Sequence, residues 1–457
     1  MRLIVVLLLA LFAGAQPLME YANPAEAGFD AQKLAAARKD AEDAGSAAVV
    51  ALYRGRVIAA WGAVDRNLLA NSVRKSMTGA LLGLAVADNK LSLDATLADL
   101  KIDDEPPLTT AEKQARLRDL LAARSGVYHP AAYSGADDDA QRPERGSAAP
   151  GSRFYYNNWD FNALESIYER AVGENVFTAF GRRIAAPLGM EDYAATSGVE
   201  ILEPSQSRHP AHVFRISARD LARFGQLYLQ EGRWNGKQLL PRTWVQESLK
   251  AHSDLGDGNG YGWLWWTYAA GSLGKNYPTI SGGPVYLARG TGGQALFLLP
   301  ALDLVIVHRA DFDNGKSVRG GAIWSLVEKI AAARTGEPSA QPSLRPMNPL
   351  PLASVGRAYV PPAIVPLAAS ARRDFPGEYT LGGATVRIFV YADRLFANVP
   401  RMGESELLPL SENEFTLAAS PGSRVVFTRD KEGKVTGAEA NVDGKKLTVV
   451  PKLQPQR

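Results

Sequence analysis

The sequence predicts an α+β chain in two parts: a large domain whose terminal strands share an antiparallel sheet around a helical middle, then a small all-β domain. Three observations carry this. Hairpin patterns bracket the stretch from Ala47 to Val307, and helical patterning fills the interval between them. A proline-rich segment from Thr335 to Ser370 then leads into a tail of short β-prone runs divided by turn signals.

Taken in order, the first residues stand apart. Arg2 is a short positive region, Leu3 to Phe12 an apolar run, and Ala13-Gly14-Ala15 a small-x-small cleavage site, the pattern of a signal peptide over residues 1–15. The apolar run is about half of the roughly 20 residues a spanning helix needs, so a transmembrane anchor is disfavoured. No later segment is expected to span a membrane. The first hairpin, Ala47 to Trp61, sets AVVALY and VIAAW on either side of Arg54-Gly55-Arg56. Met77 to Val86 is almost wholly apolar and small, the composition of a helix buried on all sides. Thr110 to Ala122 reads as one amphipathic helix. Ser217 with Asp220 gives a capping-box-like start to a helix running to Gly232, and Pro241 opens another to about Ala251. Leu296 to Leu299 and Leu304 to Val307 flank Pro300-Ala301-Leu302-Asp303 as the second hairpin. In the tail, ATVRIFVY, RLFANV, RVVFTR and KLTVV, with turn signals at Lys431-Glu432-Gly433 and Asp443-Gly444, make the all-β domain.

Composition excludes several classes of function. A net charge of +3, from 51 basic and 48 acidic residues without a long basic run, leaves no electrostatic footprint for nucleic acid. With 46% apolar and 22% charged residues the chain is neither disordered nor fibrous. The absence of cysteine removes disulfides, zinc–thiolate sites, thiol nucleophiles and lipoprotein attachment through an N-terminal Cys. The mature chain is expected to be soluble, periplasmic or secreted, and held by its core alone.

Ser72-Val73-Arg74-Lys75 stands at the start of the buried helix. At this spacing both side chains lie on one helical face, where a neutral amine can take the hydroxyl proton, and the helix N-terminus supplies amide donors for an oxyanion. The pattern alone is weak, because Ser272 to Lys275 repeats it between glycines in a loop. The five histidines offer no α/β-hydrolase triad, since no serine has glycines two residues to either side. His209-Pro210-Ala211-His212 is disfavoured as a metal pair, because proline breaks the helix that would align it and no carboxylate follows nearby. Tyr261, Trp263, Trp265 and Trp266 are either a substrate-stacking wall or core packing. Asp137-Asp138-Asp139 reads as a solvated loop rather than a calcium site.

Two later motifs give Ser72 its context: Tyr156-Asn157-Asn158 after the Pro150-Gly151-Ser152 turn, and Gly290-Thr291-Gly292-Gly293-Gln294 opening the last hairpin. In this order the three elements resemble the penicillin-recognising serine hydrolases of the class C β-lactamase-related or CubicO type, a superfamily that includes D-alanyl-D-alanine peptidases, class C β-lactamases, esterases and amidases. The blocks SVRKSMTGALLGLAVADNKLSLD, LRDLLAARSGV, PGSRFYYNNWDFNALESIYERAVG, RIAAPLGMEDY and SARDLARFGQLYLQEGRWNGKQLL are similar to that family's, and the likeness covers roughly residues 30–333. It implies a β-lactamase/transpeptidase-like domain over residues 20–334, an antiparallel sheet flanked by helices with an all-helical region. A linker over 335–370 and a β domain over 371–457 complete the expected organisation.

The same resemblance assigns roles. Ser72 becomes the nucleophile, Lys75 its proton acceptor, and Tyr156 the residue that shares or relays the proton, with Tyr155 as the alternative register. Asn158 hydrogen-bonds Lys75 and the substrate, and the amides of Ser72 and Gly293, the latter just after the Gly290, Thr291, Gly292 triad, form the oxyanion hole. Lys75 must be neutral near pH 7, through burial and nearby positive charge, or Tyr156 must serve as a phenolate. The family commonly carries Lys or His where this chain has Gly290. Arg289 is adjacent, but a neighbouring strand residue points to the opposite face. This favours an ester or small amide, as in the esterase and 6-aminohexanoate hydrolase branches, over a β-lactam or D-Ala-D-Ala substrate. A non-catalytic binding protein on a hydrolase frame is the third reading. No cofactor or metal is implied, and the expected partner is a small-molecule or peptide-like ester or amide.

Overall fold

The computed structural model describes residues 17–352, 355–381, 384–400, 403–442 and 445–447. The signal-peptide stretch, the Asp443-Gly444 turn and the end of the KLTVV run lie outside them. Among the described residues no helix is long and apolar enough to cross a membrane.

Ten strands form the main sheet: β1 (Met19–Tyr21), β2 (Ala48–Tyr53), β3 (Arg56–Gly62), β4 (Ser253–Gly256), β5 (Asn259–Tyr261), β6 (Trp266–Tyr268), β7 (Val285–Gly290), β8 (Gln294–Leu299), β9 (Leu304–Arg309) and β10 (Leu344–Pro346). Their spatial order is β4-β5-β6-β7-β8-β9-β2-β3-β1-β10. The two expected hairpins are joined by β9 against β2, with His308 opposite Val49. Pairing is antiparallel except where β1 meets β3 in parallel at Glu20 and Val57. Part of the proline-rich segment is itself β10, which pairs with β1 through Glu20 and Arg345.

Both faces of the sheet are covered, which is why β2 reads as an unbroken apolar run and is buried at every position. Val50 and Leu52 belong to the core shared with helices α2 (Arg74–Ala87), α5 (Asn158–Val172) and α6 (Ala218–Leu229), whereas Val49 and Ala51 belong to the core shared with α1 (Ala31–Asp43) and α8 (Gly320–Ala332). The Ser217 hydroxyl accepts from the Asp220 amide at 3.1 Å and starts α6 as expected. Pro241 precedes α7 (Arg242–Ser248), which ends before Ala251 because the Ser248 carbonyl accepts from the Trp263 amide.

The single helix expected over Thr110 to Ala122 is broken. A 3₁₀ turn at Glu112–Gln114 and a short α3 (Leu117–Leu121) are separated by Ala115 and Arg116, with ψ of 132° and 160°. Two starts compete along the run: Thr109 and Glu112 exchange hydrogen bonds, and Asp119 accepts from the Arg116 amide at 2.8 Å. Between them the backbone pairs with Ala95 and Leu97 instead of continuing the helix. Hydrophobic periodicity cannot register that outside partner.

Beyond the linker, eight strands follow one another in a simple antiparallel meander from Gly377–Leu381 to Lys445–Leu447. At its centre Phe415 meets Phe375 and Phe427 edge to face, and Phe375 and Phe427 are tilted against each other. This second domain touches the first where the Ser205 amide donates to Glu404 at 2.8 Å and Arg394 faces Glu200 at 3.6 Å.

Candidate active site

The chain reaches Ser72 through Leu68–Leu69, which pairs with Arg215–Ile216. Buried Arg309 donates to the carbonyls of Leu68 and Leu69 at 2.8 Å each, anchoring this approach to the end of β9. Asn71 then takes a left-handed φ of 46°, and Asn71–Val73 form a 3₁₀ turn that runs directly into α2. Ser72 is partly exposed on that turn, and Lys75, one turn further on, is 3% exposed.

Lys75 Nζ lies 3.0 Å from Ser72 Oγ, 2.8 Å from Tyr156 Oη and 2.8 Å from Asn158 Oδ1. The rings of Tyr156 and Phe161 flank it at 4.3 and 4.5 Å. Burial first, then the charge of neighbouring Arg74, holds the amine well below its usual range. Arg74 is itself buried; it pairs with Glu165 and donates to Asn162 Oδ1 at 2.8 Å. Burial pushes the Tyr156 hydroxyl up to about 12, with the Ser72 hydroxyl and then Arg289 opposing.

Tyr156 and Asn158 straddle the start of α5, so the helix cap fixes both. Asn157 caps the helix through the Trp159 amide, and its Nδ2 donates to the Val127 carbonyl at 2.6 Å and to Asp160 at 2.9 Å. Asp160 is fully buried and also accepts from the Ser125 hydroxyl at 2.5 Å. Asn158 turns its oxygen to Lys75 and its Nδ2 to Asp138 at 3.0 Å and Ser134 at 3.2 Å. Tyr155, the alternative register, donates to the Asp138 carbonyl at 2.6 Å instead.

The end of β7 lies directly on the turn that carries Ser72. A Cβ at Gly290 would sit 2.7 Å from the Ala70 carbonyl oxygen and 2.9 Å from the Ser72 amide nitrogen, so the position admits no side chain. Thr291 borders the cavity with Ser72, whereas Gly292 packs on Phe312 and Gly293 on Val318. Gly293 therefore stands elsewhere than expected, and its amide donates to the Gly290 carbonyl at 3.3 Å. With that carbonyl held inside the turn, the other edge of the same planar peptide, the Thr291 N–H, points away from the turn. Among the described residues no backbone carbonyl takes it.

The cavity over Ser72 has a volume of about 640 Å³ and is bounded by Asp138, Arg153, Phe154, Tyr156, Trp266 and Arg289, among others. Arg289 departs from the expectation of strand alternation. Its guanidinium folds over Trp266 at 4.0 Å, and Trp266 stacks on Tyr156 at 5.3 Å, so the cation reaches the cavity although its strand position faces away. The aromatic run divides: Trp266 and Tyr261 pack against Tyr156, whereas Trp263 stacks on His252 and Trp265 stacks on Phe224 in the core.

Sequence reasoning passed over Asp138, which it read as solvated, and Asn71 and Arg153, whose places depend on loops distant in sequence. The second Ser-x-x-Lys lies in the turn following β6, with Lys275 on a 3₁₀ segment, and Ser272 borders no part of this cavity. His209 and His212 do not converge. His209 bonds Ser166 at 3.0 Å, but His212 meets carboxylates that the sequence leaves far away: Glu165 at 3.2 Å, Glu169 at 3.1 Å and Glu200 at 3.7 Å. Asn175 donates to both Glu169 and Glu200 and closes that cluster.

Comparison with known proteins bears on this arrangement. A sequence-family model described as Beta-lactamase matches residues 31–316. No curated protein sequence matches. Among solved structures, a candidate beta-lactamase from Bacteroides dorei DSM 17855 is similar at 20% identity, covering 66% of this chain and 99% of its own, with a TM-score of 0.51. SurE is similar at 18% identity over 94% of this chain and 100% of its own, with a TM-score of 0.50. A candidate 6-aminohexanoate-dimer hydrolase from Bacillus anthracis is 23% identical over 64% of this chain and 81% of its own, with a TM-score of 0.48. With the family match spanning more than half of its length, this chain belongs to the beta-lactamase family and has the penicillin-recognising serine-hydrolase fold.

Proposed function

We propose that the chain is an acyl-enzyme hydrolase of esters or amides, with Ser72 as nucleophile, Lys75 as its base and Tyr156 as proton relay. The observation that carries the reading is the environment of Lys75. A buried amine beside Arg74 favours the neutral form, which has two N–H donors and one lone pair. Directed to Tyr156 Oη and Asn158 Oδ1, the donors leave the lone pair for the Ser72 hydroxyl. The high pKa of Tyr156, about 12, supports Lys75 rather than a phenolate as the base.

In the proposed steps Ser72 Oγ adds to the carbonyl carbon as its proton passes to Lys75. The amides of Ser72 and Thr291 receive the developing oxyanion. Collapse expels the alcohol or amine, protonated from Lys75 through Tyr156, and water releases the acid from Ser72 by the same route. No step calls on a metal or cofactor. The leader-like residues 1–15 support export, with action in the periplasm or outside the cell.

Turnover of p-nitrophenyl butyrate and of nitrocefin by the parent and by Ser72→Ala tests this. The expected result is ester hydrolysis above β-lactam hydrolysis, with both abolished in Ser72→Ala. Faster nitrocefin hydrolysis reassigns the substrate to a β-lactam. Retention of hydrolysis by Ser72→Ala rejects the mechanism.

A further inference from the structure

The geometry points to Asn71 as a positioning residue, a single side chain that sets the separation of the two oxyanion donors; this rests on the Ser72 acyl-enzyme reading. Asn71 directly precedes the nucleophile and is 2% exposed. Its φ of 46° is a conformation that Asn tolerates better than most side chains. The usual reason for Asn at a helix start does not apply, because its side chain caps neither the 3₁₀ turn nor α2. Both of its polar ends are used across the site instead. Nδ2 donates to the Thr291 carbonyl at 2.8 Å, and Oδ1 accepts from the Tyr133 hydroxyl at 2.9 Å.

Tyr133 is held in the same unusual way. It has a φ of 58°, uncommon for a bulky residue, and its amide donates to Glu203 at 3.2 Å. Two adjoining left-handed residues, hydrogen-bonded to each other, persist only where the surrounding structure over-determines them, and such strain collects at functional sites. The clamp lies beside the close approach of the hairpin tip to the Ser72 turn at Gly290, where a Cβ would meet the Ala70 oxygen, the Ser72 nitrogen and Asn71 Cβ. Releasing Asn71 from Thr291 lets the tip move relative to Ser72, so the two donors no longer converge on one oxygen. Asn71 does not border the cavity, and its effect therefore runs through the Thr291 and Ser72 amides rather than through substrate.

The test is the rate at which a fluorophosphonate labels Ser72, because its phosphoryl oxygen occupies the oxyanion position. Asn71→Gly keeps the left-handed backbone and removes only the clamp. Its labelling rate is expected to fall about 10- to 100-fold, below the roughly 10²–10³ lost when a donor is removed outright. The pH midpoint of labelling is expected to stay in place, since Lys75 is untouched. Tyr133→Phe, which leaves the turn intact, is expected to lose about 3- to 10-fold, as a share of the same effect. A folded Asn71→Gly that labels at the parent rate, or one whose loss comes with a displaced pH midpoint, overturns the inference. So does a parent-like rate in Tyr133→Phe should Asn71→Gly fail to fold. Absence of label on Ser72 in the parent instead overturns the acyl-enzyme reading and this inference together.

Discussion

Gly290→Ala is the smallest change that probes how the site is assembled. The added carbon would lie 2.7 Å from the Ala70 oxygen and 2.9 Å from the Ser72 nitrogen, against an ordinary contact of 3.4 Å or more. Both neighbours are backbone, so neither can swing aside as a flexible side chain would. Relief requires the hairpin tip and the Ser72 turn to separate by roughly 0.5–0.7 Å, an overpacking that costs about 1–3 kcal/mol of stability. A displacement of that size at the oxyanion site is expected to lower kcat about 10- to 100-fold, since about 1 Å of misplacement costs roughly 10²-fold. Ester turnover and thermal melting measured in parallel separate the two effects. A folded Gly290→Ala with parent kcat would refute the close-approach argument. The same reasoning covers Gly290→Lys, which restores the cation common in the family: it is expected to lose ester turnover and gain no nitrocefin turnover.

Further outcomes follow from the buried charges. Lys75→Arg places a guanidinium that cannot deprotonate at the base position and is expected to cost about 10²–10⁴ in kcat. In the parent, kcat/KM is expected to rise with pH along a limb whose midpoint lies below the ordinary lysine value, with no fall from Tyr156 until about pH 12; a limb centred on the ordinary lysine value contradicts the account. Glu165→Gln leaves Arg74 buried without its counter-charge and is expected to cost about 3–5 kcal/mol, read by denaturant unfolding. Burial lowers the His212 pKa, but hydrogen bonds to Glu165 and Glu169 outweigh it and leave the group at about 9. The raised value adds stability that is fully present below about pH 6.5 and lost as pH rises to about 9, of order 3 kcal/mol. His212→Gln is expected to remove that pH dependence of melting, and an unchanged slope would contradict it.

Elements set by local pattern were legible in the sequence. The two hairpins, the buried α2 and the Ser217 start of α6 depend on residues within a few positions, and they stand where expected. Pattern failed at Ala115, where the backbone is taken by Ala95 and Leu97. In the tail, the strands Gly403–Pro409 and Val435–Val442 were missed because GESELLP and VTGAEANV are too polar or glycine-containing to read as β-prone runs. At the site, Ser72, Lys75, Tyr156 and Asn158 are brought together, each on a helix start that the sequence marks. What could not be read was the contribution of loops. Asp138 reaches Asn158 from a segment that looks solvated, Arg289 reaches the cavity only by lying over Trp266, and Asn71 gains its partners from Tyr133 and Thr291. Nor could the partner of the Gly293 amide be read, because a motif counts residues along the strand, whereas the three-residue turn directs that amide to the Gly290 carbonyl.

The central claim is that Ser72 becomes covalently acylated with Lys75 as its base. Intact-mass measurement and peptide mapping after exposure to a fluorophosphonate test it directly. The account predicts one adduct per chain, carried by the peptide that contains Ser72, formed faster as pH rises and lost in Ser72→Ala. An adduct on another residue, Ser272 above all, or active protein that takes no label, would contradict it.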